Sequence, residues 1–340
     1  MLKRLLLSLL LFTAVLNATQ PTYENVTKLY VAMFNRAPDA CGLYYWLNVP
    51  NFTLEEMAAN FFKQPETKEK YPSSLTCAEF VETVYANLFN RAPDPSGLAY
   101  WVDALESGSI SRSLFILAVI NGAQGADAVI LANKTEVGLY FATRGHCSID
   151  ASISVMADVT EDHTTVMDAI TEINQLAPDC DVVIDVQTGL MWQNDHSPRK
   201  TWPAAVDYCS NEVSLCKGTD WRLPTTKELQ SIIDTKNIPT ILSIFDGNCD
   251  KALYWSSEGT SDRKDIVLFA DGSTRYNVRP ITLESSVRCV RGKSNTSTPT
   301  LKQTGQKKSY DVDGREVTHG TVKDDGFYQA GIKPNYTSTP

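Results

Sequence analysis

A sequence of twelve residues occurs twice near the N-terminus, from Asn35 to Trp46 and again from Asn90 to Trp101. Both copies have the pattern Asn-Arg-Ala-Pro-Asp-x-x-Gly-Leu-x-Tyr-Trp, and they lie 55 residues apart. Self-similarity at a fixed spacing is the signature of a repeated structural unit. The N-terminal part of the chain is therefore predicted to contain a duplicated unit. No catalytic motif is recognisable in the sequence, so it predicts architecture and compartment better than activity.

The residues around the first copy are predicted to form helices. Apolar side chains recur at the i, i+3, i+4 spacing of an amphipathic helix at Val26, Leu29, Tyr30, Met33 and Phe34. Pro38 ends this helix because a proline disfavours the α conformation of the residue before it. Asp39 is well placed to cap the next helix. Thr53 and Thr76 each begin a Thr-x-x-Glu capping box, which marks two further helix starts.

The arginine shared by the two copies, Arg36 and Arg91, is interpreted as a structural residue that bonds carbonyl groups at the corner between two helices. The aromatic stripe is interpreted as core and not as a cofactor site. The doubled motif resembles the bacterial domain-of-unknown-function 4214 family, and the segment Asn133 to Phe141 resembles that family's closing helix. The resemblance covers residues 23–175. It implies an all-α module of exported and surface-layer proteins, with no catalytic residues to carry over.

Beyond residue 179 the pattern changes to short strands and turns. Val182 to Ile184 and Gly189 to Trp192 are strand-like, and Asp271-Gly272 is typical of a hairpin turn. A third capping box begins at Thr225. Four motifs occur in order: Thr-Gly-Leu-Met-Trp, Asp-Trp-Arg-Leu-Pro-Thr, Tyr-Trp-Ser-Ser and Val-Arg-Cys-Val-Arg-Gly.

These motifs resemble the Lcl C-terminal domain family, formerly domain of unknown function 1566, over residues 179–292. The resemblance implies a fold similar to C-type lectins and to formylglycine-generating enzyme, in which Cys209 pairs with Cys289. A calcium-dependent sugar site is not expected, because the Glu-Pro-Asn, Gln-Pro-Asp and Trp-Asn-Asp triplets of C-type lectins do not occur in the chain. The predicted fold class is α+β: an all-α helical repeat module, then a C-type-lectin-like module, then a flexible tail.

Residues 1–18 have the character of a signal peptide. Lys3 and Arg4 precede an apolar run from Leu5 to Leu16, and Ala18 lies at a small-residue cleavage point. We expect export to the periplasm, the cell surface or the extracellular medium, with no membrane span after the signal is removed. The net charge of −9 and the pI near 5.0 argue against nucleic acid as a partner, because phosphate binding needs clustered cations.

The even number of cysteines fits an exported chain that forms disulfide bonds. They are Cys41, Cys77, Cys147, Cys180, Cys209, Cys216, Cys249 and Cys289. Zinc binding is the alternative, but no Cys-x-x-Cys pair occurs and the four histidines are scattered. We expect structural disulfides and neither a metal nor a cofactor. The pairing stays open apart from the implied Cys209–Cys289 bond, although Cys216 and Cys249 are candidates for a second, local bond.

A basic segment suggests a ligand surface in the second module. Between Arg263 and Lys293 there are seven basic residues and three acidic ones, so this end is a candidate rim for an acidic polysaccharide. The candidate rim residues are Arg263, Lys264, Arg275 and Arg279. The alternative is a set of solvated charges that flank strands. Three tryptophans are expected to be core residues and not sugar platforms: Trp192, Trp221 and Trp255.

Residues 293–340 are predicted to be a linker followed by the incomplete lead-in of a further lectin-like module. The leading interpretation of the whole chain is an exported, non-enzymatic binding or adhesion protein whose lectin-like module meets a surface glycan or an envelope protein. The alternative is a structural protein of an envelope or surface-layer assembly. An enzyme related to the formylglycine-generating fold is less favoured, because it needs a reactive thiol.

Overall fold

The computed structural model describes residues 19–195, 197–233, 242, 244–245 and 253–293, and four two-residue strands within 309–329. The predicted signal peptide, Cys249 and most of the predicted tail lie outside the described residues.

Helices occupy the described chain from Tyr23 to Gln175, which confirms the predicted helical module. They are α1 (Tyr23–Phe34), α2 (Ala40–Asn48), α3 (Leu54–Phe61), α4 (Pro65–Lys70), α5 (Cys77–Phe89), α6 (Pro95–Glu106), α7 (Arg112–Gly122), α8 (Ala126–Thr143), α9 (Ile149–Ala157) and α10 (His163–Gln175). The capping boxes at Thr53 and Thr76 are both present. The buried aromatic and aliphatic side chains of these helices form one hydrophobic core, so the aromatic stripe is core as predicted.

From Val182 to Arg291 the described chain is rich in strands, which confirms the α+β class; we call this part the sheet module. Its elements are β1 (Val182–Asp185), β2 (Leu190–Gln193), β3 (Ser197–Lys200), α11 (Trp202–Asp207), β4 (Trp221–Arg222), α12 (Thr226–Ser231), β5 (Leu253–Gly259), β6 (Arg263–Leu268), β7 (Thr274–Pro280), β8 (Ser285–Val287) and β9 (Val290–Arg291). One sheet has the order β1-β2-β9-β4 and the other the order β3-β8-β5-β6-β7. Only β5 and β8 pair in parallel among these described strands.

The tail contributes two short antiparallel hairpins to the described residues. They are formed by β10 (Ser309–Tyr310) with β11 (Glu316–Val317), and by β12 (Thr321–Val322) with β13 (Tyr328–Gln329).

The doubled motif forms the corner between two helices in each repeat. Asn35 and Asn90 follow their helices in the left-handed conformation, with φ of 49° and 56°. Asp39 and Asp94 then cap the next helices by accepting a hydrogen bond from the backbone N–H of the motif glycine. A Cβ on Gly42 would lie 2.7 Å from the Asp39 carboxylate. The Tyr30 hydroxyl would lie closer still, at 2.5 Å, so the packing of the first corner leaves no room for a side chain at Gly42.

The two motif arginines hold these corners, as the sequence interpretation proposed. Each donates to the carbonyl oxygen of the next residue, at 3.0 Å for Arg36 and 2.9 Å for Arg91. Each also forms a two-bond ion pair, Arg36 with Glu66 and Arg91 with Asp127. The Arg36 side chain is 4% exposed and that of Arg91 is 45% exposed. The first corner is thus the more deeply packed of the two.

One buried lysine on α8 connects the two copies. The Lys134 ammonium donates hydrogen bonds to the side-chain oxygens of Asn35 and Asn90, at 2.8 and 2.6 Å, and to the Asn87 carbonyl at 2.6 Å. The side chain is fully buried, and burial lowers its pKa from 10.5 to about 8. The two motif asparagines thus converge on one cation that lies outside the repeat.

Helix α2 packs into two cores at once. Leu43 and Trp46 belong to the core of the helical module, whereas Ala40 and Tyr44 belong to the core of the sheet module. The Arg291 guanidinium lies 5.0 Å from the centroid of the Tyr44 ring. The helical and sheet modules therefore share buried surface, and the first motif copy is part of their junction.

Three disulfide bonds join described cysteines: Cys41–Cys216, Cys147–Cys180 and Cys209–Cys289. The Cys209–Cys289 bond is the one that the Lcl resemblance implied. It joins two fully buried residues of the sheet-module core, with 5.5 Å between the Cα atoms.

Two expectations about the other cysteines are corrected. The candidate Cys216–Cys249 bond is wrong, because the docking of α2 on the sheet module brings Cys41 to 5.1 Å from Cys216, measured between Cα atoms. Cys249 itself lies outside the described residues. Cys77, at the start of α5, is a free and partly exposed thiol, so its expected place in a disulfide is also wrong.

Gly145 lies where the helical module meets strand β1. Its φ is +79°, and a Cβ there would lie 2.0 Å from the Val182 carbonyl oxygen. We expect Gly145→Ala to lower the free energy of unfolding by about 2–4 kcal/mol, because both the backbone conformation and the close contact exclude a side chain. Urea denaturation of the full chain measures this. The matched control is Gly122→Ala, where a Cβ meets no atom within 4 Å; equal losses in both variants would contradict the explanation.

Within the described ranges, no single helix is both long and apolar enough to cross a membrane. Helices α7 and α8 meet the length and composition criteria only as a pair, and the chain bends by 107° between them.

Candidate functional site

Trp202 is held at the start of α11 with its ring partly exposed. Its backbone N–H donates to the Ile281 carbonyl at 3.1 Å, and its ring Nε1–H donates to the Ser256 carbonyl at 2.9 Å. The Lys264 ammonium lies 4.1 Å from the ring centroid, which is a cation–π distance. These contacts fix the ring against the five-stranded sheet and leave part of it open to solvent.

A groove of about 490 Å³ opens beside this ring. Its lining residues, which define the Trp202 groove, are Trp202, Val206, Ser210, Arg222, Leu223, Thr225 and Ser257. Small-molecule sites are clefts of roughly 300–1,000 Å³ with an apolar lining and a few placed polar groups. The Trp202 groove has this size and this mixture of an aromatic ring, aliphatic side chains and hydroxyl groups.

Arg222 is a fixed donor in the Trp202 groove. Its guanidinium donates two bonds to Glu228, at 2.7 and 2.8 Å, and one to the Gly292 carbonyl at 3.0 Å. Burial raises the pKa of Glu228, but hydrogen bonds from Arg222 and Thr225 outweigh burial and hold that pKa below its usual value. Glu228 therefore stays charged at neutral pH and orients Arg222, whose side chain is 37% exposed.

The four candidate rim residues all lie on the β6–β7 hairpin, but the structure divides them. Lys264 pairs with Arg279 across the two strands, and the Arg263 side chain donates to the Val278 carbonyl nearby. Burial, and secondarily the charge of Arg199, lower the pKa of Arg279. Arg199 is thus a further cation at this end.

Arg275 lies towards the other end of the hairpin. It pairs with Ile266 and lies close enough to Asp271 to help lower the pKa of that carboxyl group, which is lowered mainly by hydrogen bonds from Ser273. Arg275 is therefore separated from the other three candidate rim residues. Lys264 is only 9% exposed, so most of the charge offered to solvent comes from arginines.

Trp192, Trp221 and Trp255 are all buried in the sheet module, as expected of core residues. The sequence analysis did not single out Trp202, Arg222 or Arg199. For Trp202 the available signal was the proline that follows it. A proline in the first helical turn marks where a helix begins, and so places Trp202 at a helix start. Arg222 lies in the Asp-Trp-Arg-Leu-Pro-Thr motif and its partner Glu228 is close in sequence, so that motif was the available signal for it. Arg199 carries no local signal, because it acts beside Arg279, a residue distant in sequence.

Metal-ligating side chains do not gather at the Trp202 groove in the described structure. The groups of three or more His, Cys, Asp or Glu that are close enough to share one ion all include cysteines at the junction of the two modules.

Comparison with known protein families places the two parts in the predicted order. Residues 58–124 match the domain of unknown function 4214, and residues 181–291 match the Lcl C-terminal domain. The first match takes in the second copy of the doubled motif, from Asn90 to Trp101, and is narrower than the predicted coverage of 23–175. No curated protein matches the chain. The disulfide bonds and the Lcl match indicate an exported protein.

Proposed function

We propose that this chain is a non-enzymatic, exported binding protein whose sheet module acts as a lectin-like domain and binds an acidic surface glycan in the Trp202 groove. The observation that carries the proposal is the partly exposed, rigidly held Trp202 ring beside Arg222 and three hydroxyl-bearing side chains. A flat aromatic ring packs against the apolar face of a sugar, while hydroxyl and guanidinium groups bond its oxygen atoms.

The charge near the groove favours an acidic ligand. Lys264 lies over the Trp202 ring, and Arg279 pairs with Lys264. Arg263 and Arg199 add charge at the same end of the hairpin. Arginine bonds carboxylate or sulfate groups through two parallel N–H donors. A polysaccharide with such groups therefore fits better than a neutral one.

The absence of an enzymatic role is part of the proposal. A formylglycine-generating type of reaction needs a free thiol in the sheet module, whereas Cys209 and Cys289 are bonded to each other and fully buried. Cys216 is bonded to Cys41. Among the described cysteines the free thiol is that of Cys77, which lies in the helical module, on α5.

A glycan array probed with the oxidised full chain tests the proposal. We expect retention of uronic or sulfated glycans, with affinity falling as salt rises because exposed charges are screened. Trp202→Ala should weaken binding by about 10–100-fold, corresponding to roughly 1.4–2.8 kcal/mol. The matched control is Tyr100→Ala, which removes an aromatic ring that is 60% exposed on the helical module. Binding that is absent in the wild type, or unchanged in Trp202→Ala, would sink the proposal.

A structural role in an envelope assembly is the second candidate, and one asymmetry favours it. Helix α2 buries Ala40 and Tyr44 against the sheet module, but the equivalent helix α6 has no fully buried residue. Its Tyr100 is 60% exposed. If this face docks in an assembly, Tyr100→Glu should release the protein from the envelope fraction. A protein recovered as a soluble, unattached monomer would contradict this role.

A further inference from the structure

Four cysteine sulfur atoms form one cluster where the two modules meet. The Cys41–Cys216 and Cys147–Cys180 bonds lie side by side, because the Cys41 Sγ atom is 3.5 Å from that of Cys147 and 3.4 Å from that of Cys180. The Sγ atoms of Cys41, Cys180 and Cys216 all lie within 4.8 Å of one another. We call these four residues the cysteine cluster.

These separations match those of a metal site. Zinc bound by four thiolates is tetrahedral with Zn–S bonds of about 2.3 Å, which places the sulfur atoms about 3.8 Å apart. The distances from Cys41 to the two sulfurs of the neighbouring bond are within a few tenths of an ångström of that value. Once both disulfide bonds are reduced, the two bonded sulfur pairs would also have to separate to about this distance to surround one ion.

Backbone contacts hold three of the four cysteines independently of the disulfide bonds. The N–H groups of Ala40 and Cys180 donate to the carbonyl oxygens of residues 145–146, at 2.9 and 3.0 Å. The Cys147 N–H donates to the Asp179 carboxylate at 2.6 Å. The segments that carry Cys41, Cys147 and Cys180 are therefore joined even when no sulfur–sulfur bond exists.

The fourth cysteine is fixed by the core of the sheet module. Cys216 lies in the short helical turn Leu215–Lys217, with φ of 52°. The ring N–H of Trp221 donates to the Leu215 carbonyl at 3.2 Å, and Trp221 is buried in the core that also contains Tyr44. Cys216 therefore keeps its position relative to Cys41 as long as α2 stays docked on the sheet module.

We propose that the cysteine cluster, when both of its disulfide bonds are reduced, binds one zinc-class divalent cation through four thiolates. All four side chains are partly exposed, so a reductant and an ion can reach them. Cys41 lies in the first turn of α2, and a helix N-terminus favours the thiolate over the thiol. The ion would replace the covalent link between the two modules by a coordinate one.

The chemistry balances with a dithiol as the reductant. Two dithiol molecules each transfer two electrons and two protons to one disulfide, which gives four protein thiols and two oxidised dithiols. The divalent cation then forms four metal–sulfur bonds and displaces the four thiol protons. Oxidation of the four thiolates by an added disulfide reverses the process and releases the ion.

Cobalt titration of the full chain under anaerobic conditions tests this. After reduction and removal of the dithiol, we expect one Co²⁺ per chain, with the visible bands of tetrahedral cobalt and a thiolate charge-transfer band. Zn²⁺ should displace the cobalt. The oxidised chain should bind none, which makes the wild type its own control. Cys147→Ser should weaken binding by more than the roughly 10–100-fold typical of changes outside the ligand set, and Cys77→Ser should leave it unchanged.

Circular dichroism on the same samples separates loss of the site from loss of the fold. A reduced chain that keeps its helical signal but binds no cobalt overturns the proposal. So does a cobalt spectrum that survives in Cys147→Ser. A reduced chain that unfolds and does not refold when the ion is added also overturns it, because the site requires the docked modules.

Discussion

Replacing Cys41 and Cys216 together by serine is expected to lower the free energy of unfolding of the oxidised protein by about 5 kcal/mol in the loop-entropy description. This bond closes a loop of 175 residues, so its removal gives the unfolded chain a large gain in conformational freedom. The Cys147–Cys180 bond shortens that loop by only 33 residues. Because the entropy depends on the logarithm of loop length, the shortening changes the expected loss very little.

Calorimetry of the full chain measures the loss of stability and shows whether the two modules still unfold together. The wild type should unfold in one transition, because α2 contributes to both cores and the Cys41–Cys216 bond ties α2 to the sheet module. In the double variant we expect a lower melting temperature and a separate transition for the sheet module. Cys77→Ser is the matched control, since Cys77 forms no disulfide, and it should change stability by no more than about 0.5 kcal/mol. A double variant that melts like this control would refute the expectation.

Lys134→Met is expected to lower the free energy of unfolding by about 2–4 kcal/mol, because it leaves the acceptors of a buried ammonium without a donor. The acceptors are the Asn35 and Asn90 side chains and the Asn87 carbonyl. Methionine keeps most of the apolar volume, so the loss reports the polar contacts. Urea denaturation measures it. Lys63→Met, which removes an exposed ammonium that bonds the Asn60 side chain, should have a small effect.

The same lysine makes the free energy of unfolding depend on pH, and the direction of that dependence follows from its lowered pKa. Its pKa is about 8 in the native state and 10.5 without the burial. Between these values the unfolded chain binds more protons, so the contribution of Lys134 to stability rises as pH increases through that window. The free energy of unfolding should therefore increase more between pH 7 and about pH 9 in the wild type than in Lys134→Met. An NMR titration of the lysine ε-carbon that showed an ordinary pKa would contradict this.

The local features of the fold could be predicted from the sequence because their causes are local. The capping boxes at Thr53, Thr76 and Thr225 are all present, since cap and partner lie three residues apart. The Asp-x-x-Gly caps and the arginine corners follow from the doubled motif in the same way. The predicted limits of 23–175 and 179–292 stay predictions, although the helices and strands fall within them.

Features that join distant segments could not be read from the sequence. The Cys41–Cys216 bond and the contact of Lys134 with Asn35 span 175 and 99 residues. Strand β7 was not predicted because it is mostly exposed, and its pairing with β6 is irregular where Asn277 adopts a positive φ. The Trp202 groove likewise depends on side chains from several segments that only the folded chain brings together.

The docking of α2 also has a consequence for how such a chain could be recombined. Residues 181–291, the part that matches the Lcl C-terminal domain, lack the two α2 side chains that complete their core, Ala40 and Tyr44. A gene rearrangement that moved this segment alone would carry an open apolar face and an unbonded Cys216 into its new host. Transfer of the segment from Ala40 onward would keep both. The unit that packs as one core is therefore larger than the unit of sequence similarity.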